Sequence, residues 1–260
     1  MDKKSYVKQK MYNLICINKD KDNIDVMYNL AKNYEEIKKN YEQMKIYYLM
    51  AINKECIKSM FNLGNYYQFI EKDYEQMKKY YLMAIKYNCK NSMFKLGYYY
   101  QNKLEYRYQN NLGLYYEDIE KDYEQIKKYY LMAIEHNCVK SMFNLALYYE
   151  EVEKDYKQMK KYYLMAITHN CVDSMYSIGY YYKFIKKDYK QMKKYYLMAI
   201  THNCVDSMYS FGDYYEKVEK DYKQMKKYYL MAITHNCVDS MYSFGDYYEK
   251  VEKDYKQMKK

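Results

Sequence analysis

In the stretch DYKQMKKYYLMAI at 188–200, Tyr189, Met192, Tyr196 and Ala199 recur at spacings of three, four and three. That period gathers them on one face of an α-helix, with the lysines turned away. The stretch SMYSFGDYYEKV at 207–218 repeats the pattern with Met208, Phe211, Tyr215 and Val218. Two amphipathic helices are therefore predicted, joined by the short THNCVD segment. Their boundaries carry capping chemistry. Asp188 is placed to accept from backbone N–H groups of the first turn, and Gln191, three residues on, to reach back to the Asp188 N–H. Asn203 ends the first helix, because asparagine tolerates the left-handed conformation of a terminating residue.

The pair recurs along the chain. DYKQMKKYYLMAITHNCVDSMYSFGDYYEKVEK fills 188–220 and returns unchanged at 221–253, earlier copies begin at Asn40, Asp73, Asp122 and Asp155, and a partial copy begins at Asp254. MYNLAKNYEEIKK at 27–39 is a half-copy. Starting positions differ by 33, apart from one step of 49 between Asp73 and Asp122. A helix pair of this length cannot bury both faces alone, so each must stack on its neighbours. The expected fold is all-α, with a degenerate helical segment at 1–26 and a repeat array over 27–260. The extra 16 residues lie within 97–113. Sixteen steps of a continuous helix turn Leu112 about 160° away from Leu96. A break near Asn110-Asn111, and a discontinuity in the array, are predicted there.

All six glycines (64, 97, 113, 179, 212, 245) follow a Leu, Ile or Phe in the second helix, and Ala31 and Ala146 take the same register position. Glycine inside a helix costs about 1 kcal/mol relative to alanine, so smallness is what the site demands. The remaining alanines (51, 84, 133, 166, 199, 232) sit in the MAI element of the first helix. Small residues on two facing helices are expected to let their backbones approach.

The pattern LG-x-YY followed by DY-x-x-M-KK-YY-x-x-AI resembles the Sel-one-like repeat, a relative of the tetratricopeptide repeat. The resemblance covers roughly residues 27–260. Met192 and Met225 stand where alanine is common, Ser207 and Ser240 replace another small residue, and the loop between the helices lacks the usual glycine-containing insertion. The resemblance implies an α-solenoid of 33-residue helix-turn-helix repeats forming a right-handed superhelix, which serves as an adaptor for protein complexes without enzymatic activity. The tyrosine- and lysine-rich style resembles arrays encoded by giant DNA viruses of protists.

Composition adds limits. Net charge is +10, from 44 basic and 34 acidic residues, yet the two signs are interleaved and Arg107 is the sole arginine. A phosphate-binding surface needs clustered cations, and base-edge contacts favour arginine forks. The seven cysteines (16, 56, 89, 138, 171, 204, 237) form no CxxC and fall mostly one per repeat, which fits reduced thiols. No apolar run approaches a membrane span, and MYNLICI near the N-terminus is too short for a signal peptide. A soluble, intracellular, cytoplasmic protein is expected, in the host cytoplasm if viral.

Candidate chemistry is sparse. Each histidine (136, 169, 202, 235) stands two residues before a cysteine, but two ligands per repeat cannot close a four-coordinate zinc site. The cysteine persists at 56 and 89 where histidine is missing, which favours a packing role. No nucleophile elbow, glycine-rich phosphate loop or HExxH motif occurs. No metal, cofactor or catalytic residue is expected. The Lys-Lys-Tyr-Tyr tetrads raise a nucleic-acid-associated alternative, although one tyrosine of each pair lies on the apolar stripe. Protein binding is the leading expectation. Two steps beyond the core Leu, Ile or Phe of the second helix, successive copies carry Asn65, Tyr98, Leu147, Tyr180, Asp213 and Asp246. Aromatic side chains anchor interfaces, so Tyr98, Leu147, Tyr180, Tyr181 and Phe184 form the candidate protein-binding surface, for a partner of unknown identity.

Overall fold

The computed structural model describes residues 23–109 and 116–252. The expectations for residues 1–22 and for a break at Asn110-Asn111 lie outside the described residues. Among these there are thirteen α-helices and no strand. They fall into two compact units, one ending at Ser141 and the other beginning at Met142. The first holds α1 (Ile24–Asn33), α2 (Tyr41–Ile52), α3 (Ile57–Tyr66), α4 (Tyr74–Ile85), α5 (Lys90–Gln109) and α6 (Tyr116–Glu135). In the second are most of α7 (Val139–Glu151), then α8 (Tyr156–Ile167), α9 (Val172–Tyr181), α10 (Tyr189–Thr201), α11 (Val205–Tyr214), α12 (Tyr222–Thr234) and α13 (Val238–Tyr247). Even-numbered helices carry the KKYYLMAI element and odd-numbered ones the LG-x-YY element. The result is an all-α solenoid of helical repeats.

The caps form as the sequence dictates, but only by half. Asp73 Oδ1 accepts from the Glu75 and Gln76 N–H groups at 3.1 and 3.0 Å, and Asp188 and Asp221 accept from Gln191 and Gln224 at 3.1 Å. Such a cap contributes about 1 kcal/mol. The glutamine has no return bond to make at Asp188 and Asp221. Their N–H groups already donate to the carbonyls of Tyr182 and Tyr215 at 3.0 Å. Those carbonyls open a π-helical turn that ends each of several odd-numbered helices, at Tyr34–Lys38, Tyr67–Glu71, Tyr182–Lys186, Tyr215–Glu219 and Tyr248–Glu252. A lysine follows in the left-handed region, with φ of 52–56° at Lys39, Lys72, Lys187 and Lys220. The π turn also resets the buried face: Tyr214 is buried, whereas Val218, expected on the stripe, is exposed.

Both tyrosines of every KKYY tetrad outside the first copy are buried, not one. The first ring stacks on the tyrosine that opens the preceding π turn. Tyr67–Tyr80, Tyr182–Tyr195 and Tyr215–Tyr228 lie 5.5–5.7 Å apart with interplanar angles of 1–4°. Such pairs contribute about 0.5–1.5 kcal/mol beyond the area they bury. The second ring (Tyr48, Tyr81, Tyr130, Tyr163, Tyr196, Tyr229) is fully buried. It lies against the small residue of the preceding odd-numbered helix: a Cβ added at Gly64, Gly97, Gly179 or Gly212 would come within 2.7 Å of its ring carbons. The glycine is therefore small for a tyrosine ring, and not to meet an alanine on the facing helix.

The insertion leaves this contact intact. α5 and α6 are both 20 residues long and pack on each other as a lengthened hairpin. Gly97 still receives Tyr130, and Tyr100 still stacks on Tyr129 at 6.0 Å. Because the added residues extend both arms of an antiparallel pair, the base of the hairpin keeps the packing of the other copies. One cap is lost, however. Asp122 lies inside α6, buried, with Lys103 Nζ 2.9 Å from its carboxylate.

Replacing Gly212 by alanine gains about 1 kcal/mol of helix propensity and sets it against overpacking of about 1–3 kcal/mol. Gly212→Ala should lower the melting temperature. Gly245→Ala, where a new Cβ meets nothing within 4 Å, should leave it unchanged or raise it. Thermal unfolding followed by circular dichroism checks the pair.

Candidate interaction surface

The turn that joins the two helices of a copy is built for packing. Asn88, Asn137, Asn170, Asn203 and Asn236 all adopt φ of 56–61°, as the helix-ending role requires. The next residue is the cysteine, whose N–H donates to the alanine carbonyl five residues back, as in Cys204 to Ala199 at 3.1 Å. The same cysteine is the N-cap residue of the following helix. Its sulfur accepts from a buried serine hydroxyl three residues on, at 3.2–3.4 Å in five copies. His169, His202 and His235 point to solvent. Among the described residues, no three His, Cys, Asp or Glu side chains gather as metal ligands.

The charged face of the even-numbered helices is occupied as well. Lys45 pairs with Glu71 and Lys193 with Glu219. Lys79, Lys161, Lys194 and Lys227 each hold their ammonium 4.9–5.3 Å from the ring of the neighbouring tyrosine. The tetrad rings are thus buried, and these lysines are engaged by rings or glutamates rather than held out to a nucleic-acid strand.

The hydroxyl of the second, fully buried tyrosine must find a partner, and a fixed column of the odd-numbered helices supplies it. Tyr48 donates to Glu35, Tyr81 to Gln68, Tyr130 to Gln101, Tyr163 to Glu150 and Tyr229 to Glu216, at 2.6–2.8 Å. Burial raises the pKa of Tyr163 and Tyr229, and the carboxylate that accepts from each raises it further. In one copy the column holds Lys183, which cannot accept, and the Tyr196 hydroxyl, with the Ser210 side chain near it, makes no well-formed bond. Lys183 is itself buried. It reaches forward to the next copy, donating to the Ser210 carbonyl at 3.3 Å and to Asp213 Oδ2 at 2.7 Å. Lys217 binds the other oxygen of the same carboxylate. Burial pushes the Asp213 pKa up, but the two lysine hydrogen bonds outweigh it and hold the carboxyl below its ordinary value of 3.8.

Around this ion cluster lies an aromatic ladder. Tyr176, Tyr180 and Phe184 follow one another at helical spacing, with ring centroids 6.3 and 4.4 Å apart, and the Lys183 ammonium sits 4.9 Å from the Phe184 ring. Tyr180 and Phe184 are 44% and 49% exposed. Tyr181 is buried in the core, where it packs on Tyr156 at 5.4 Å. It occupies the column of the buried Tyr66, Tyr148 and Tyr214, so it is removed from the candidate surface. Leu147 is half-buried on α7, and Tyr98 is exposed on α5 beside Phe94. Tyr98 belongs to the first unit and the others to the second. Lys183 was missed by sequence reasoning, though its signal was present: it stands alone as a cation in a column of Glu and Gln.

Beside the ladder, within the second unit, is a cleft of about 350 Å³. Glu150 and Glu151 form one wall, and Tyr156, Tyr176, Tyr180 and Ile185 line it. Burial raises the pKa of Glu150, the Tyr163 hydrogen bond partly opposes that shift, and Glu151 adds to it.

No family model and no curated protein matches the chain. Among solved structures, the Sel1 repeat protein from Oxalobacter formigenes is similar with a TM-score of 0.57 at 22% identity, over 82% of this chain and 88% of that chain. A monomeric IFIT1 mutant with Gppp-AAAA gives 0.53 at 14% identity, over 85% of this chain and 56% of that one. The human IFIT1 dimer with PPP-AAAA gives 0.52 at 14%, over 86% and 58%. The chain therefore has the fold of Sel1-type repeat proteins, and the likeness to IFIT1 is likewise one of fold. No helix among the described residues is long and apolar enough to cross a membrane.

Asp213 and Asp246 are the same residue in two copies of identical sequence, which makes each the control for the other. Asp213→Ala strands a buried lysine and should cost about 3 kcal/mol. Asp246→Ala breaks only an exposed pair with Lys250 and should cost under about 1 kcal/mol. The folded-state pKa of Asp213 is depressed, so its contribution is complete above 3.8 and is lost as pH falls through the lower folded value. Urea unfolding of wild type between pH 5 and 2 should show that loss, and Asp213→Ala should show less of it.

Proposed function

We propose that the chain is a non-catalytic scaffold that holds a protein partner on the exposed face of α9 and the π turn that follows it. The observation that carries this reading is the Tyr180–Phe184 pair: two large rings left in solvent, stepping outward from the half-buried Tyr176 on a helix whose buried face is already filled. Aromatic anchors of this kind dominate protein interfaces, and nearby polar groups fix orientation. The fold supports the reading, since stacked helical repeats present side chains along a rigid frame. Lys183 and Asp213 strengthen that frame at the ladder itself by tying two copies together. Tyr98 offers a second exposed ring in the first unit. The reading includes an intracellular setting, in keeping with the free cysteines.

Nucleic-acid association has less support. Its anchors would be the paired tyrosines of the tetrads, which are buried, and the lysines beside them, several of which lie over rings or against glutamates. Capture of partners from the native cell by wild type, Tyr180→Asp and Phe184→Asp checks the proposal. Both variants should melt within about 0.5 kcal/mol of wild type, as surface substitutions do, and should lose the partners that wild type retains. Full retention by both variants refutes the assignment of this face.

A further inference from the structure

The carboxylate pair in the second-unit cleft has a counterpart elsewhere in the chain, and the counterpart is occupied. In the first half-copy, Glu35 and Glu36 hold the columns that Glu150 and Glu151 hold in α7. Glu35 accepts from the buried Tyr48 hydroxyl at 2.7 Å, as Glu150 accepts from Tyr163 at 2.6 Å. The first pair is bridged by one lysine of the preceding helix: Lys32 Nζ lies 3.2 Å from Glu35 and 2.7 Å from Glu36. The column of Lys32 is Leu147 in α7. Among the described residues, Glu150 and Glu151 have no ion pair, and Lys154 at the cleft does not bring the Glu150 pKa back to its usual range. The second pair thus repeats the tyrosine contact of the first, at the end of an α-helix rather than in a π turn, and the cation that lines its cleft, Lys154, forms no ion pair with it.

The walls of the cleft supply what a lysine stem needs. Tyr176 and Tyr180 line it with aromatic surface and Ile185 with aliphatic surface, beside the carboxylates. A side chain with a long apolar stem and a cationic tip matches both parts at once. At about 350 Å³ the cleft has room for such a side chain. We propose that this cleft receives a lysine side chain of a protein partner, its ammonium set between Glu150 and Glu151 as that of Lys32 is set between Glu35 and Glu36. The inference rests on the protein-binding reading of the α9 face and names the chemistry of the residue that docks beside it.

The test uses the full chain and a capped pentapeptide carrying one lysine between leucines, with norleucine and arginine versions for comparison, followed by calorimetry and tyrosine-ring NMR shifts. Wild type should bind the lysine peptide at least about tenfold more tightly than the norleucine peptide. Glu150→Gln should abolish that preference without loss of fold, because Gln68 and Gln101 accept the tyrosine hydroxyl from the same column. Leu147→Lys restores the internal ammonium. It should abolish binding while leaving the melting temperature equal or higher. Equal binding of lysine and norleucine peptides, undiminished binding by Leu147→Lys, or no binding by wild type each overturns the proposal. A preference for the arginine peptide overturns the choice of lysine. If cellular partners are lost by Tyr180→Asp and Phe184→Asp but kept by Leu147→Lys and Glu150→Gln, the cleft assignment fails and the scaffold reading stands. If the peptide results hold while Tyr180→Asp keeps every partner, the scaffold reading fails instead.

Discussion

Everything in this array turns on one buried tyrosine per copy. A phenol ring with no solvent exposure makes two demands at once, a flat gap for the ring and an acceptor for the hydroxyl. The preceding odd-numbered helix meets both with two residues one turn apart, a glycine or alanine and, four positions on, a Gln or Glu. The sequence separation between hydroxyl and acceptor is 13 residues in four copies and 29 across the insertion. The difference is the length of the inserted segment, and the contact survives it. An array held by such a contact tolerates any lengthening that extends both arms of a helical hairpin together.

Those demands explain which parts of the fold were legible in the sequence. Helix positions, the aspartate caps and the asparagine terminators followed from spacing and from local backbone chemistry. Glycine was recognised as small, but its partner was assigned to alanine. Nothing in a helical period says which ring of a Tyr-Tyr pair is buried when both are. The π turns were invisible for a related reason. Their left-handed residue is lysine rather than glycine or asparagine, at a cost of about 1–2 kcal/mol. That cost is offset by the carbonyl bond to the next aspartate N–H and by the stacked ring at the turn's first residue. Once the π turn takes the aspartate N–H, a D-x-x-Q motif can supply only half of a capping box.

The candidate surface was legible to the extent that it depends on departure from the repeat. Tyr180 and Phe184 stand out because the next two copies carry aspartate and lysine in their columns, Asp213 and Lys217, then Asp246 and Lys250. Tyr181 was misplaced because aromatic character alone does not separate a core ring from a surface one. The column does: Tyr66, Tyr148 and Tyr214 are all buried. Reading down columns also reveals Lys183 among acceptors and Leu147 in the place of a lysine.

The last two complete copies carry the argument further, since their sequences are identical and their environments are not. Asp213 is held by a buried lysine from the copy before it, whereas Asp246 has only an exposed pair with its own helix. Duplication copied the residue but not its partner. The chemistry of a repeat therefore resides in the junction between copies, and one substitution at a junction alters two copies at once. Lys183 takes an acceptor away from Tyr196 and gives a counter-ion to Asp213. It also places a cation under the Phe184 ring at the head of the exposed ladder. A duplicated array acquires individuality at such a position, at the cost of one unsatisfied hydroxyl, because the buried tyrosine ring on either side still specifies the fold.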